Sequence, residues 1–191
     1  MSMLFTRMAS PVGDLLLAGH GDELSALWID GQRWAPVIGA DWRESGEAFG
    51  PARAQLGEYF ARERTTFDLP LRFAGTPFQN AVWRALTRIP YGETRTYGVI
   101  AAGLGRPRAA RAVGAANGRN PFCIVVPCHR LIGSDGGLVD YAAGLDVKRR
   151  LIEHEADVRR RRAAASRPAH TPSPLRGWPG NQGPAPPSAA P

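Results

Sequence analysis

Four consecutive apolar residues, Cys123-Ile124-Val125-Val126, run straight into Pro127-Cys128-His129-Arg130, and the turn-forming run Gly133-Ser134-Asp135-Gly136-Gly137 stops the segment. An unbroken apolar run bounded by turn signals reads as a buried strand. It delivers Cys128 to its end, and a rigid element ending in a nucleophile holds chemistry in place. A cysteine followed by an imidazole and a guanidinium sits in an electropositive setting, which lowers a thiol's pKa and enriches the reactive thiolate. Neighbours on a strand point to opposite faces, so Cys128 and His129 share a proton directly only if the chain turns there. Otherwise a bridging water carries the proton, or His129 acts as a more distant base oriented by a carboxylate. The competing reading is a small buried hydrophobe with a solvated His and Arg behind it, the commoner fate of an arbitrary Cys-His pair.

The candidate carboxylate lies in a closing helix, Leu145 to Glu155. Leu145, Leu151 and Ile152 form its apolar stripe. Glu155 follows Leu151 by four residues and Ile152 by three, which points it inward, whereas Glu153 faces solvent. Cys123, Cys128, His129 and His154 offer four potential metal ligands, but no Cys-x-x-Cys or His-x-x-x-His pair exists. That spacing predicts no metal site.

Charge divides the chain into three. Residues 1–75 carry a net −3, residues 76–157 a net +4 and residues 158–191 a net +6. A basic second half predicts contact with a polyanion, most often nucleic acid. The last segment holds 8 of the 17 prolines among Ala, Ser and Gly, and such a composition predicts a disordered tail. Its root, Arg159-Arg160-Arg161-Arg162, reads equally as a DNA-grazing patch or a solvated charge run. Two cysteines without a framework, no long apolar span and no basic-then-apolar leader predict a cytoplasmic protein with no membrane segment.

Residues 1–75 read as a supporting α/β domain. Leu15-Leu16-Leu17-Ala18 and Leu24 to Ile29 flank a Gly-rich turn and predict a hairpin. Leu56, Tyr59 and Phe60 mark one face of a helix ending near Ala61, and Phe67 to Leu71 reads as an edge strand or linker. Residues 76–157 are mainly helical. Thr76-Pro77 caps a helix with Phe78, Val82, Trp83, Leu86 and Ile89 on its buried face. A helix from about Thr96 to Ala102, a turn at Gly103-Leu104-Gly105 and a helix from about Pro107 to Asn117 form a helix-turn-helix. The second helix presents Ala109, Ala110 and Ala112 beside Arg108 and Arg111. Small side chains let a backbone approach DNA closely and arginines neutralise phosphate, which predicts contact indifferent to sequence.

The chain resembles the O6-alkylguanine-DNA alkyltransferase family. The resemblance runs from about Leu4 to Glu155 and rests on Gln55 to Phe60, Phe67 to Leu71, Thr76-Pro77-Phe78-Gln79, Ile89 to Glu93, Ala110 to Gly114, Asn120-Pro121 and, above all, Ile124 to Arg130. It implies a ribonuclease H-like first domain and a winged-helix-like second one. It implies a monomer that binds duplex DNA in the minor groove and needs no cofactor. Cys128 would take an alkyl group, chiefly methyl, from O6 of guanine, and from O4 of thymine. His129 would draw off the thiol proton through a water, oriented by Glu155. Tyr97 would push on the phosphate 3′ to the lesion and donate a proton to the leaving guanine. Arg111 would fill the space the base leaves, Asn120 would brace the turn before the cysteine, and Pro121, Tyr141, Ala142 and Ala143 would line the base pocket. A thioether is a very poor leaving group, so each molecule would react once.

Two positions depart from the pattern. Ala143 stands where small glycines are common, which predicts slower reaction of O6-benzyl than of O6-methyl adducts. Asp140 places a negative charge near the DNA face. Three rivals remain: a lesion-binding relative without chemistry, which would lack the acceptor cysteine; a cysteine hydrolase, which would need an oxyanion hole; and a helix-turn-helix regulator, whose reading helix would not be mostly alanine.

Overall fold

The computed structural model describes residues 2–165. The first lobe is a four-stranded sheet in the order β3-β2-β1-β4, with β1 Leu4–Met8, β2 Leu15–His20, β3 Glu23–Ile29 and β4 Arg43–Glu44. The expected hairpin is β2-β3, closed over Gly21-Asp22, with Gly21 in the left-handed region at φ 59°. One face of these strands carries Leu15, Leu17, Leu24, Leu27 and Ile29, all nearly fully buried. Helix α1, Gly50–Phe60, packs on that face through Ala52, Leu56 and Tyr59. Phe67 to Leu71 is a linker that touches the sheet edge at one parallel bridge, Leu24 to Leu71.

The second lobe holds α2 Pro77–Leu86, β5 Arg95–Thr96, α3 Tyr97–Gly103, α4 Ala110–Gly118, β6 Leu131–Ile132 and α5 Leu145–Ala165. Thr76 and Gln79 form a reciprocal capping box at the start of α2, which satisfies two otherwise orphan amide groups. The helix stops at Leu86, and Ile89 is buried from the turn beyond it. The second helix of the pair begins later than the sequence suggested. Pro107 and Arg108 form a turn, Ala109 is the N-cap residue, and six residues rather than three or four separate α3 from α4.

Two further expectations are corrected. Leu145 is 41% exposed, and the buried stripe of α5 is instead Leu151, Glu155 and Val158 with the stem of Lys148. The segment assigned to a disordered tail opens as helix, since α5 continues through the arginine run to Ala165. There Arg159 and Arg160 pair with Glu93 and Asp157, so charge pairing supports a helix that composition spoke against. The rest of that tail lies outside the described residues.

The two lobes share one core. Leu27 of β3 donates its N–H to the carbonyl of Pro121 at 2.7 Å and accepts from the N–H of Cys123 at 3.0 Å. The segment ahead of the cysteine is thereby clipped to the first-lobe sheet.

Candidate active site

The run Cys123-Ile124-Val125-Val126 is not a strand. After the single bridge of Phe122, just ahead of the run, to Leu27 of β3, the chain coils: Ile124 takes φ 71°, Val125 N–H reaches Cys123 O at 2.8 Å, and Val126 N–H reaches Phe122 O at 2.9 Å. Left-handed backbone is unfavourable for a β-branched residue and costs about 1–3 kcal/mol unless the surroundings enforce it. Here they do, because Phe122 through Arg130 is buried without interruption. Asn120 ties the coil together. Its Oδ1 accepts from Phe122 N–H at 3.0 Å, and its Nδ2 donates to the carbonyls of Phe122 and Val126 at 3.3 and 2.8 Å. Cys128-His129-Arg130 then forms one turn of 3-10 helix, so Cys128 and His129 are not opposed as strand neighbours would be.

His129 is fully buried. Its Nε2 lies 2.8 Å from Glu155 Oε1, and its Nδ1 has no protein partner. A carboxylate can only accept, so this contact assigns the ring proton to Nε2 and leaves a lone pair on Nδ1. Glu155 collects more donors than the sequence suggested. Tyr59 Oη donates to it at 3.0 Å, Arg130 at 2.8 and 2.9 Å through Nε and Nη2, and the N–H of Gly92 at 3.0 Å. Burial works against the charge, but the hydrogen bonds from His129 and Arg130 and the charge of Arg130 prevail and hold the carboxyl far below its usual range. Arg130 therefore does not activate the thiol, as its position in the sequence implied. It is spent on Glu155 and on the carbonyl of Ile89.

The thiol of Cys128 is held below its ordinary pKa. The neighbouring Cys123 thiol contributes most, and burial opposes the shift. The electrostatic influence of the His129 ring and hydrogen bonding from Asn120 and Tyr141 complete it. Tyr141 Oη stands 3.8 Å from Cys128 Sγ. Cys123, which the sequence offers as a strand residue or a possible metal ligand, lies against Gln32, 3.0 Å from Oε1. Among the described residues, no group of three or more His, Cys, Asp or Glu side chains gathers to hold a metal ion.

Cys128 opens onto a cavity of about 490 Å3. Tyr97, Ala110, Arg111, Asn120, Tyr141 and Ala142 line it, as expected for a pocket between the helix pair and the cysteine. Pro121 and Ala143 do not. Pro121 faces the first lobe through its bond to Leu27, and Ala143 packs against the core. Arg108 also lies away from the cavity, beside Arg106 at a shallow depression before α4. Of the alanines, Ala112 and Ala115 are exposed and Ala116 is buried against α2, so the helix does have small residues to spare. The lining adds Arg33 and Asn117, which the sequence did not single out. Burial pushes the Tyr97 hydroxyl up to about 12, with the charges of Cys128 and Asp140 adding to it. Behind the cavity the buried Lys148 amine, lowered to about 8 mainly by burial, donates to the Val139 carbonyl at 2.6 Å.

Two family models cover nearly all the described chain. Residues 3–73 match the 6-O-methylguanine DNA methyltransferase, ribonuclease-like domain, and residues 77–157 match the DNA binding domain of the same family. The chain belongs to the 6-O-methylguanine DNA methyltransferase family. It is 50% identical over 154 residues to the methylated-DNA–protein-cysteine methyltransferase of Methanosarcina barkeri, covering 80% of this chain and 97% of that one. It is 52% identical over 146 residues to the protein of that name from Mycobacterium tuberculosis, covering 76% of this chain and 88% of that one. The Mycobacterium tuberculosis OGT solved in complex with DNA superposes with a TM-score of 0.77 at 48% identity, over 81% of this chain and 94% of that one. A small sheet lobe followed by a helical lobe is thus the family's architecture, and the ribonuclease-like description fits the first of them.

Proposed function

We propose that this chain is a methylated-DNA–protein-cysteine methyltransferase. It repairs duplex DNA by moving an alkyl group, chiefly methyl, from O6 of guanine, or O4 of thymine, to Sγ of Cys128. The observation that carries the reading is a cysteine with a lowered thiol pKa opening onto a cavity, with His129 and Glu155 stacked behind it.

The chain of events follows from those atoms. Glu155 fixes the imidazole so that Nδ1 can accept, and a water passes the Cys128 proton to it. The thiolate attacks the alkyl carbon: the new C–S bond forms as the C–O bond breaks, and the electron pair returns to the purine. Tyr97, whose hydroxyl stays protonated at neutral pH, donates the proton that the leaving guanine takes up. The base must leave the stack to reach Sγ, at a cost of a few kcal/mol. Arg111, exposed near the start of α4, occupies the gap, and the exposed Ala112 and Ala115 let that helix lie close in the minor groove whatever the sequence. A thioether offers no way back, so each molecule acts once; the same reading has it act as a monomer and without a cofactor. A lesion binder without chemistry would have no use for Cys128, and relatives at about 50% identity carry the enzyme's name.

Intact-protein mass after incubation with a duplex holding one O6-methylguanine tests the proposal. We expect a gain of one methyl in place of hydrogen on the peptide with Cys128, no repair of fresh substrate afterwards, and no gain in Cys128→Ala despite retained DNA binding. Transfer persisting in that variant would place the nucleophile elsewhere.

A further inference from the structure

Asp140 stands at the mouth of the cavity with its side chain 70% exposed, where an incoming DNA backbone would meet a carboxylate. Tyr97 lines the same cavity, and the Asp140 charge helps to raise its hydroxyl. Like charges at a nucleic-acid interface repel unless a cation intervenes. The cation that does so comes from the other lobe. Arg33, in the loop after β3, pairs with Asp140 through Nη2, and its backbone N–H donates to the Ala142 carbonyl at 2.9 Å.

The loop is anchored on both sides of this contact. Gln32 Oε1 accepts from Ile29 N–H at 2.9 Å, and Trp34, at φ 69°, stacks on the guanidinium of Arg119 at the end of α4, 3.9 Å from the ring centroid. The Arg33 side chain is therefore planted at the cavity mouth while remaining 54% exposed. A solvated ion pair of this kind is weakly held, and a guanidinium fork fits phosphate as well as it fits carboxylate.

We infer that Arg33 is a DNA-binding residue of the first lobe, parked on Asp140 in the free protein and exchanging that carboxylate for a backbone phosphate flanking the nucleotide in the cavity. Asp140 acts as a placeholder: it keeps the guanidinium aimed at the mouth and disfavours DNA until Arg33 changes partner. The inference rests on the alkyl-transfer reading for its substrate but is tested separately from it.

The test measures duplex affinity against salt for the wild type, Arg33→Ala, Asp140→Asn and the double variant, with Arg33→Lys as a charge-retaining control. Losing one phosphate contact removes about 0.9 from the slope of log affinity against log salt, so the wild-type advantage over R33A should shrink about 3.5-fold between about 50 and about 200 mM salt. R33K should keep the wild-type slope, and D140N should bind more tightly than wild type. The loss from R33A should be smaller in the D140N background, because part of it is the unmasked carboxylate. Alkyl transfer from free O6-benzylguanine, which carries no phosphate, should fall less in R33A than transfer from duplex DNA. An unchanged slope, equal losses in both backgrounds, or equal losses on free base and duplex would overturn the inference. Failure of the wild type to gain mass from either substrate would defeat the alkyl-transfer reading instead, while the salt slopes would still report on Arg33.

Discussion

Glu155→Gln is the substitution with the largest consequence for the least change in shape. The carboxylate accepts from Tyr59, His129, Gly92 and both Nε and Nη2 of Arg130, and it is 1% exposed. An amide of the same size turns one acceptor into a donor that faces other donors, and leaves the Arg130 charge uncompensated where its side chain is only 8% exposed. Breaking one partner of a buried pair costs about 3–5 kcal/mol, a large share of the roughly 5–15 kcal/mol that holds a domain folded. At about 2–4 °C per kcal/mol for a chain of this size, the midpoint of thermal unfolding should fall by roughly 6–20 °C. The matched control is Glu155→Leu with Arg130→Leu, which removes both charges and should recover the part of the loss owed to the uncompensated arginine, while Tyr59, His129 and Gly92 still lack their acceptor. That double variant should nonetheless transfer alkyl groups slowly, because nothing then holds the His129 proton on Nε2. The Glu155 carboxyl titrates below its unfolded value, so its stabilisation is complete above about pH 4.3 and disappears as pH falls further. The wild type should accordingly lose stability on acidification below that point more steeply than E155Q. Chemical unfolding followed by near-ultraviolet circular dichroism measures all three proteins. A loss under about 1 kcal/mol in E155Q, or a double variant less stable than the single one, would refute the reasoning.

Three further outcomes follow from the same geometry. Because the Cys128 thiol is held low, the single-turnover rate should rise with pH and level off below the ordinary thiol value of about 8.5; Tyr141→Phe, which removes a hydroxyl 3.8 Å from Sγ, should move the midpoint upward in stopped-flow measurements. Asn120→Ala unlatches the coil before the cysteine and leaves the Phe122 N–H unmet, while the Val126 carbonyl keeps the Cys128 N–H, at about 1–3 kcal/mol in urea unfolding and with a slower transfer rate. Thr76→Ala removes the capping box of α2, far from the chemistry, and should cost about 1 kcal/mol in unfolding without a change in rate.

Local signals were legible in the sequence where local energies decide the structure. The β2-β3 hairpin, the Thr76 cap and the inward aim of Glu155 all follow from residues within one or two turns of each other. The misread features depend on partners far along the chain. The apolar run could not form a strand because only its first residues find a neighbour, β3, nearly a hundred residues earlier; beyond that the chain satisfies its own amides by coiling around Asn120. The lining role of Arg33 has no signal in its own surroundings, since its partner Asp140 lies 107 positions away. The helical root of the tail was hidden because composition counts arginines without asking whether Glu93, from the turn after α2, stands beside Arg159.

The activation of Cys128 was inferred for a reason that turns out to be only half right. Arg130 is the obvious source of positive potential in the sequence, yet its guanidinium is paired with Glu155 rather than with the thiol. What replaces it is the geometry of the turn. A strand would have sent Cys128 and His129 to opposite faces. The coil instead places Sγ near Tyr141 and among the Cys123, His129 and Asn120 groups that lower its pKa. In the proposed mechanism Arg130 serves the chemistry at one remove: by helping to keep Glu155 ionised it holds the His129 ring proton on Nε2 and leaves Nδ1 to take the thiol proton. The three residues therefore form a single unit in which charge is neutralised at the back so that basicity is available at the front. This explains why the arginine belongs beside the histidine even though it never acts on the sulfur.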